Sequence, residues 1–257
     1  MMKNRILLFD RADNFFALNN GYQNFEGIEW GIGNVQNARK DFLTHNNCST
    51  VIVHSSNPRD LLQLQRTKAK SIWVLPREGG GAEWEANLSE LEKALAFAGV
   101  VVCTEEQGQQ FEALTQVSVT PNISLKKALK SVEYTIAVGV GAGIGNMCKV
   151  MPLIQKLSKH FGVVIDVVCN PSVPNSHQLF TQNEWVGKSY GKMHLATYKQ
   201  YKSVFLTSCL GDLLPPIVAE KTYVQRRHYV FWTLCRFMPE LMYNFFRCRR
   251  LFLKGCT

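Results

Sequence analysis

Between Tyr134 and Asn170 the chain reads YTIAVGVGAGIGNMCKVMPLIQKLSKHFGVVIDVVCN, and few arrangements satisfy such a run. Tyr134 to Val138 is short, apolar and suited to a buried strand. Gly139, Gly141, Gly143 and Gly145 then allow a sharp turn and a close backbone approach to a ligand. From Asn146 onward, Met147, Val150, Met151, Ile154 and Leu157 recur at helical spacing, with Lys149, Lys156 and Lys159 between them. Gly162 stops that helix, and Val163 to Val168 forms the next strand. A glycine turn opening a helix presents unpaired N–H groups and the positive end of the helix dipole, which suits a phosphate. The same turn also serves a parallel sheet that binds nothing, because a glycine loop alone is a weak motif.

The flanking sequence repeats this alternation. Arg5 to Phe9, Val51 to His54, Ser71 to Leu75, Val100 to Cys103 and Val117 to Thr120 read as five strands. Helical patterns lie over Arg59 to Arg66, Glu83 to Phe97 and the stretch after Thr104, a fitting N-cap ahead of Glu105 and Glu106. Residues 10 to 34 read as one long loop. Strands alternating with helices imply a parallel, doubly wound sheet. The 257 residues leave room for two such units. The expected division is a first Rossmann-like domain over 1–123, a linker over 124–132 and a second domain over 133–257. The second domain is expected to end in two helices, from Tyr223 to Lys254, broken near Pro239.

Charge distinguishes the halves. Residues 1–130 hold 14 basic and 14 acidic residues, whereas residues 131–257 hold 15 basic and 6 acidic ones and carry the whole net charge of +9. An anionic partner is therefore expected for the second half. No recognised motif accompanies the charge, so a specific nucleic-acid partner is not expected. Trp232, Phe237, Phe245 and Phe246 interleave with Arg247, Arg249 and Arg250, which gives residues 223–257 the composition of a face that lies on an anionic membrane. The eight cysteines show neither a CxxC pair nor zinc-ligand spacing. Reduced thiols in a cytoplasmic protein are expected, with no metal site.

The residues of the second half resemble a glycosyltransferase of the GT-B type, in which two Rossmann-like domains face across a cleft. Residues 134–207 are similar to the N-terminal domain of family 9, the heptosyltransferase-like enzymes. The likeness rests on Gly143-Ile144-Gly145-Asn146, Met151-Pro152-Leu153-Ile154, the basic Lys156 to His160 and the VVIDVVCN strand. It continues through Asn183-Glu184-Trp185-Val186 and the YKSVFLT strand. Residues 50–123 more distantly resemble the first domain of family 4, through VIVHSS, VVVCTEEQGQQF and VSVTPNI.

This resemblance implies transfer of a sugar from a nucleotide-sugar donor to a glycan or a lipid-linked acceptor, with no cofactor. The protein would be cytoplasmic, with peripheral membrane contact. Gly141, Gly143, Gly145, Asn146 and Lys149 are the expected substrate-binding residues. Where the heptosyltransferase family usually has an aspartate as base, this chain has Asn146, which cannot take a proton as a carboxylate can. Asp10, His54 and Asp212 stand near expected strand ends as alternative bases, and no spacing rule chooses among them. A catalytically degenerate protein that binds a sugar nucleotide or a partner is the second reading. A third is a short-chain dehydrogenase, through Gly139, Gly143 and Gly145 with Tyr198 and Lys202. Tyr198 follows the first glycine by only 59 residues, too few for that fold.

Overall fold

The computed structural model describes residues 5–10, 29–37, 39–40, 42, 48–67, 69–77, 80–141, 144–181, 183–207, 217 and 219–225. They belong to two compact units. One comprises Met1–Thr115 with Pro121–Glu133, the other Gln116–Thr120 with Tyr134–Thr257.

The first unit is built on a five-stranded parallel sheet. Its strands are β1 (Arg5–Asp10), β2 (Glu29–Asn34), β3 (Cys48–His54), β4 (Lys70–Val74) and β5 (Val100–Val102), in the order β2-β1-β3-β4-β5. Strand β2 lies within the stretch expected to be one loop. Val51, Ile52 and Val53 are wholly buried, as a central parallel strand covered on both faces requires. The helices are α1 (Pro58–Leu62), α2 (Ala82–Ala86), α3 (Leu88–Phe97), α4 (Glu105–Leu114) and α5 (Leu125–Glu133). The amphipathic stretch expected as one helix is divided at Asn87 into α2 and α3. Thr104 caps α4 as expected: its hydroxyl accepts from the Gln107 N–H, and the Gln107 side chain accepts from the Thr104 N–H in return. Such a reciprocal cap satisfies two otherwise orphaned donors.

Helix α5 occupies the stretch expected to be a linker. It packs against β4 and β5, and its last residue fixes it there. Glu133 accepts from Thr50 Oγ1 at 2.9 Å and pairs with Lys70 Nζ at 2.7 Å. Gly99 makes this approach possible, since a Cβ there would stand 2.6 Å from both Val132 Cγ2 and the Ser71 carbonyl.

The second unit has a six-stranded sheet. Its strands are β6 (Val117–Val119), β7 (Ile136–Val140), β8 (Ile165–Cys169), β9 (Val186–Tyr190), β10 (Tyr201–Thr207) and β11 (Ala219–Gln225), in the order β11-β10-β7-β8-β9-β6. All neighbours are parallel except β6, which runs antiparallel to β9. Strand β6 was expected in the first sheet. Val117, Ser118 and Val119 are all buried, and so uniform a strand carries no local mark of the sheet it will join. Tyr223 to Gln225 finish β11 rather than begin a helix. Their β-branched and aromatic residues favour a pleated strand. Residues 226–257 lie outside the described residues.

The helix of the central stretch, α6 (Ile144–Phe161), runs 18 residues and carries Pro152 in its interior. Met147, Val150, Ile154 and Leu157 are buried against Ile136, Val138, Val140, Ile165 and Val167, while Met151 is only partly covered. Each buried aliphatic side chain contributes roughly 1.5–3 kcal/mol, so this face holds the helix despite the proline. Gly162 ends it at φ +65°, the left-handed conformation that closes helices. Among the described residues, no helix is long and apolar enough to cross a membrane.

Candidate functional site

In open parallel sheets a crevice forms at the carboxyl ends of two neighbouring strands whose onward connections leave in opposite directions. The first sheet meets this condition between β1 and β3, and the residues at that point are Asp10 and His54. They stand opposite each other in the strand register. His54 Nδ1 lies 3.3 Å from Asp10 Oδ1, with the two side chains 6% and 12% exposed. Two of the three catalytic candidates are thus brought together, although 44 positions separate them in sequence. Among the described residues, Asp10 Oδ2 has no hydrogen-bond partner. The turn after His54 is held from below: Trp73 Nε1 donates to the Ser55 carbonyl at 2.8 Å and Trp84 Nε1 to the Ser56 carbonyl at 2.9 Å. Ser55 Oγ donates to the Asp60 carboxylate. An imidazole beside a carboxylate is a pairing that general acid–base chemistry uses.

The second sheet meets the same condition between β7 and β10, and there the backbone builds the site. The Gly141 N–H donates to the Thr207 carbonyl at 2.7 Å, and Thr207 Oγ1 donates to the Gly139 carbonyl at 2.9 Å. The glycine turn is thereby clamped to the end of β10 just before α6 begins at Ile144. On the other side, Val140 stands opposite Cys169, so Asn170 is the neighbouring strand tip. Asn170 is 5% exposed, and its Oδ1 accepts from the Ser172 N–H at 2.9 Å. Gly143 and Asp212 lie outside the described residues. Gly145, Asn146 and Lys149 belong to α6, with side chains outside the described atoms.

Sequence reasoning missed a third constellation, near the start of β8. Asp166 is 3% exposed. It accepts from Lys199 Nζ at 2.8 Å, Tyr201 OH at 2.8 Å and Tyr190 OH at 3.3 Å, with Lys188 Nζ at 3.9 Å. Burial by itself raises its pKa. The charges of Lys199 and Lys188, with hydrogen bonds from Lys199 and Tyr201, outweigh burial and hold the carboxyl below its ordinary range. Burial and the Lys199 charge push Lys188 well below the usual lysine range, and Asp166 offsets only part of this. Burial and Asp166 raise both tyrosines well above theirs. The cluster draws on Asp166 near the amino end of β8, Lys188 and Tyr190 in the second half of β9, and Tyr201 at the start of β10. A signal was present in the sequence: one aspartate inside the apolar strand IDVVC demands a buried cation. The partners lie in residues 188–201, a stretch rich in lysine and tyrosine.

Burial pushes the Cys103 and Cys169 thiols up to about 12, so neither is a thiolate nucleophile at neutral pH. No group of described residues is arranged to hold a metal ion. Lys202 lies over the ring of Tyr134, 5.0 Å from its centroid.

The chain matches no protein-family model and no curated protein. Among solved structures it is similar to the apo form of D-lactate dehydrogenase from Escherichia coli, at 14% identity and a TM-score of 0.21. That likeness covers 80% of this chain and spans 65% of the other, and at so low a score it carries no argument about activity.

Proposed function

We propose that this protein is glycosyltransferase-like: it binds a nucleotide sugar at the glycine turn of its second unit and transfers the sugar to a glycan or lipid-linked acceptor. The observation that carries the reading is the placement of this stretch: β7 and β10 part where β7 ends at Val140, and an 18-residue helix begins at Ile144. A diphosphate there meets backbone N–H groups and the positive helix end, and these stabilise negative charge on a leaving group. Removing the proton of an acceptor hydroxyl needs a base. Asp10 with His54, in the first unit, has the groups for that role: an imidazole to take a proton and a carboxylate to steady the imidazolium. Neither role calls for a cofactor or a metal.

The second reading keeps the binding and drops the turnover, because Asn146 holds the position at which the resembling family carries its aspartate. Under either reading the protein is cytoplasmic. Since β11 claims residues 223–225, contact with an anionic membrane belongs to residues 226–257. Liposome flotation of the full chain and of a chain ending at Gln225 tests that part, and equal flotation would remove it. For the main reading, purified protein is titrated with a panel of nucleotide sugars. Binding with release of the nucleoside diphosphate supports transfer, and binding without release supports the second reading. Binding of NAD(P) alone would contradict both.

A further inference from the structure

Between β8 and β9 the chain passes over the second sheet through a short 3-10 helix, Ser176–Phe180. That helix packs against β6, β8 and β9. Over residues 171–181 the connection is exposed or half-buried except at Ser176, His177 and Phe180, whose side chains seat it. Phe180 joins the apolar cluster of Ile165, Val167 and Cys169. His177 is 1% exposed, yet among the described residues neither its Nδ1 nor its Nε2 has a hydrogen-bond partner. The ring fills space that a glycine leaves: a Cβ on Gly191 would stand 2.7 Å from Nδ1. The His177 carbonyl is tied to β9, accepting from Ser189 Oγ at 2.7 Å. Opposite Ser189 in the register is Ser118, whose hydroxyl is also buried without a partner among the described residues.

The charges of this sheet lie on its other face. Ile165, Val167 and Cys169 share a cluster with Phe180, so Asp166 points away from the connection. Lys188, Tyr190, Lys199 and Tyr201 all gather on Asp166. On the side of the connection, β6 and β9 present Ser118 and Ser189, and β8 presents Cys169, whose thiol is neutral at ordinary pH. Burial lowers the pKa of His177, and no charged group contributes to the shift.

We propose that His177 is an acid-sensitive latch. Neutral, it seats the connection on β6 and β9; protonated, both its nitrogens are donors without acceptors, and the connection lifts to hydrate them. The latched segment begins beside Asn170, at the carboxyl end of β8, where open parallel sheets receive ligands. Backbone hydrogen exchange of the full chain tests this, from about pH 7.5 to about pH 5, corrected for intrinsic rates and spanning the ordinary histidine value of about 6.5. The opened form binds the extra proton, so opening of residues 171–181 should become up to about 10-fold more favourable per pH unit below that value, while α6 stays protected. His177→Leu and His177→Gln cannot charge and should show no such slope, whatever their absolute level. A flat wild-type profile, or an equal slope in either variant, overturns the proposal. Exchange of the imidazole C2 hydrogen follows His177 directly in the wild-type protein. Its midpoint should lie below about 6.5, and a midpoint at or above that value overturns the latch even if both variants misfold.

Discussion

The two sheets offer the same opportunity, a crevice where neighbouring parallel strands part, and they fill it with different materials. In the first unit it is lined by side chains, Asp10 and His54, 3.3 Å apart. In the second it is made of backbone: the Gly141 N–H and the Gly139 carbonyl, both held by Thr207. Side chains can hold and release protons. A glycine backbone cannot, but it lets a bulky group come close. Within its own unit, the first pair has the groups for proton exchange, and the glycine turn has room for a ligand to approach the backbone closely.

Replacing the proton carrier should separate the two sites most sharply. His54→Gln is expected to lower the rate of transfer by about 100- to 10,000-fold and leave the affinity for the nucleotide sugar unchanged. A parallel fall in both would show that the first site is not devoted to proton transfer. Single-turnover kinetics beside calorimetry makes the distinction.

The buried cluster behind the second site is expected to govern stability rather than turnover. Asp166→Asn leaves buried cations without their carboxylate, and breaking such a pair costs about 3–5 kcal/mol. Urea unfolding of the variant should show that loss, and an unchanged midpoint would mean the cluster contributes nothing.

Because the folded pKa of Asp166 is depressed, its contribution is present above the ordinary carboxylate range and lost as pH falls through the folded value. Lys188 behaves differently. Its folded pKa is also depressed, so the unfolded chain binds the extra proton. Stability then rises with pH between the folded value and the ordinary lysine value of about 10.4, by at most about 1.4 kcal/mol per pH unit. Unfolding measured as pH rises toward the ordinary lysine value of about 10.4 should show this rise in the wild-type protein and a flatter profile in Lys188→Met. Equal profiles would contradict a depressed Lys188.

The smallest effect is expected at the clamp. Thr207→Val keeps the shape and removes the hydroxyl that holds the Gly139 carbonyl. One lost hydrogen bond should weaken nucleotide binding about 3- to 10-fold with no change in the transfer step. If transfer falls while binding holds, the division between the two sites is wrong.

The central strand-turn-helix-strand was legible because its signals are local. Apolar spacing placed α6 and its buried residues, Gly162 marked its end, and Thr104 marked the start of α4. Non-local features were hidden. Asp10 meets His54 only because β1 and β3 are neighbours, and strand order is not written in either strand. Strand β6 joins the second sheet although nothing in Val117–Val119 names a partner. Helix α5 looked like a linker because its anchoring contacts, Thr50 and Lys70, lie far away in sequence. Strand β9 was missed because Lys188 and Ser189 make it look solvated, when Asp166 and the His177 carbonyl satisfy them inside.

The most direct test of the nucleotide site is calorimetric titration of nucleotide sugars against wild-type protein and Gly141→Val, with near-UV circular dichroism showing that both are folded. The branched side chain would crowd the turn where phosphates approach, so the wild type should bind and the variant should lose roughly 100-fold in affinity, about 2.7 kcal/mol. Equal binding by the two folded proteins would contradict a phosphate site at the glycine turn.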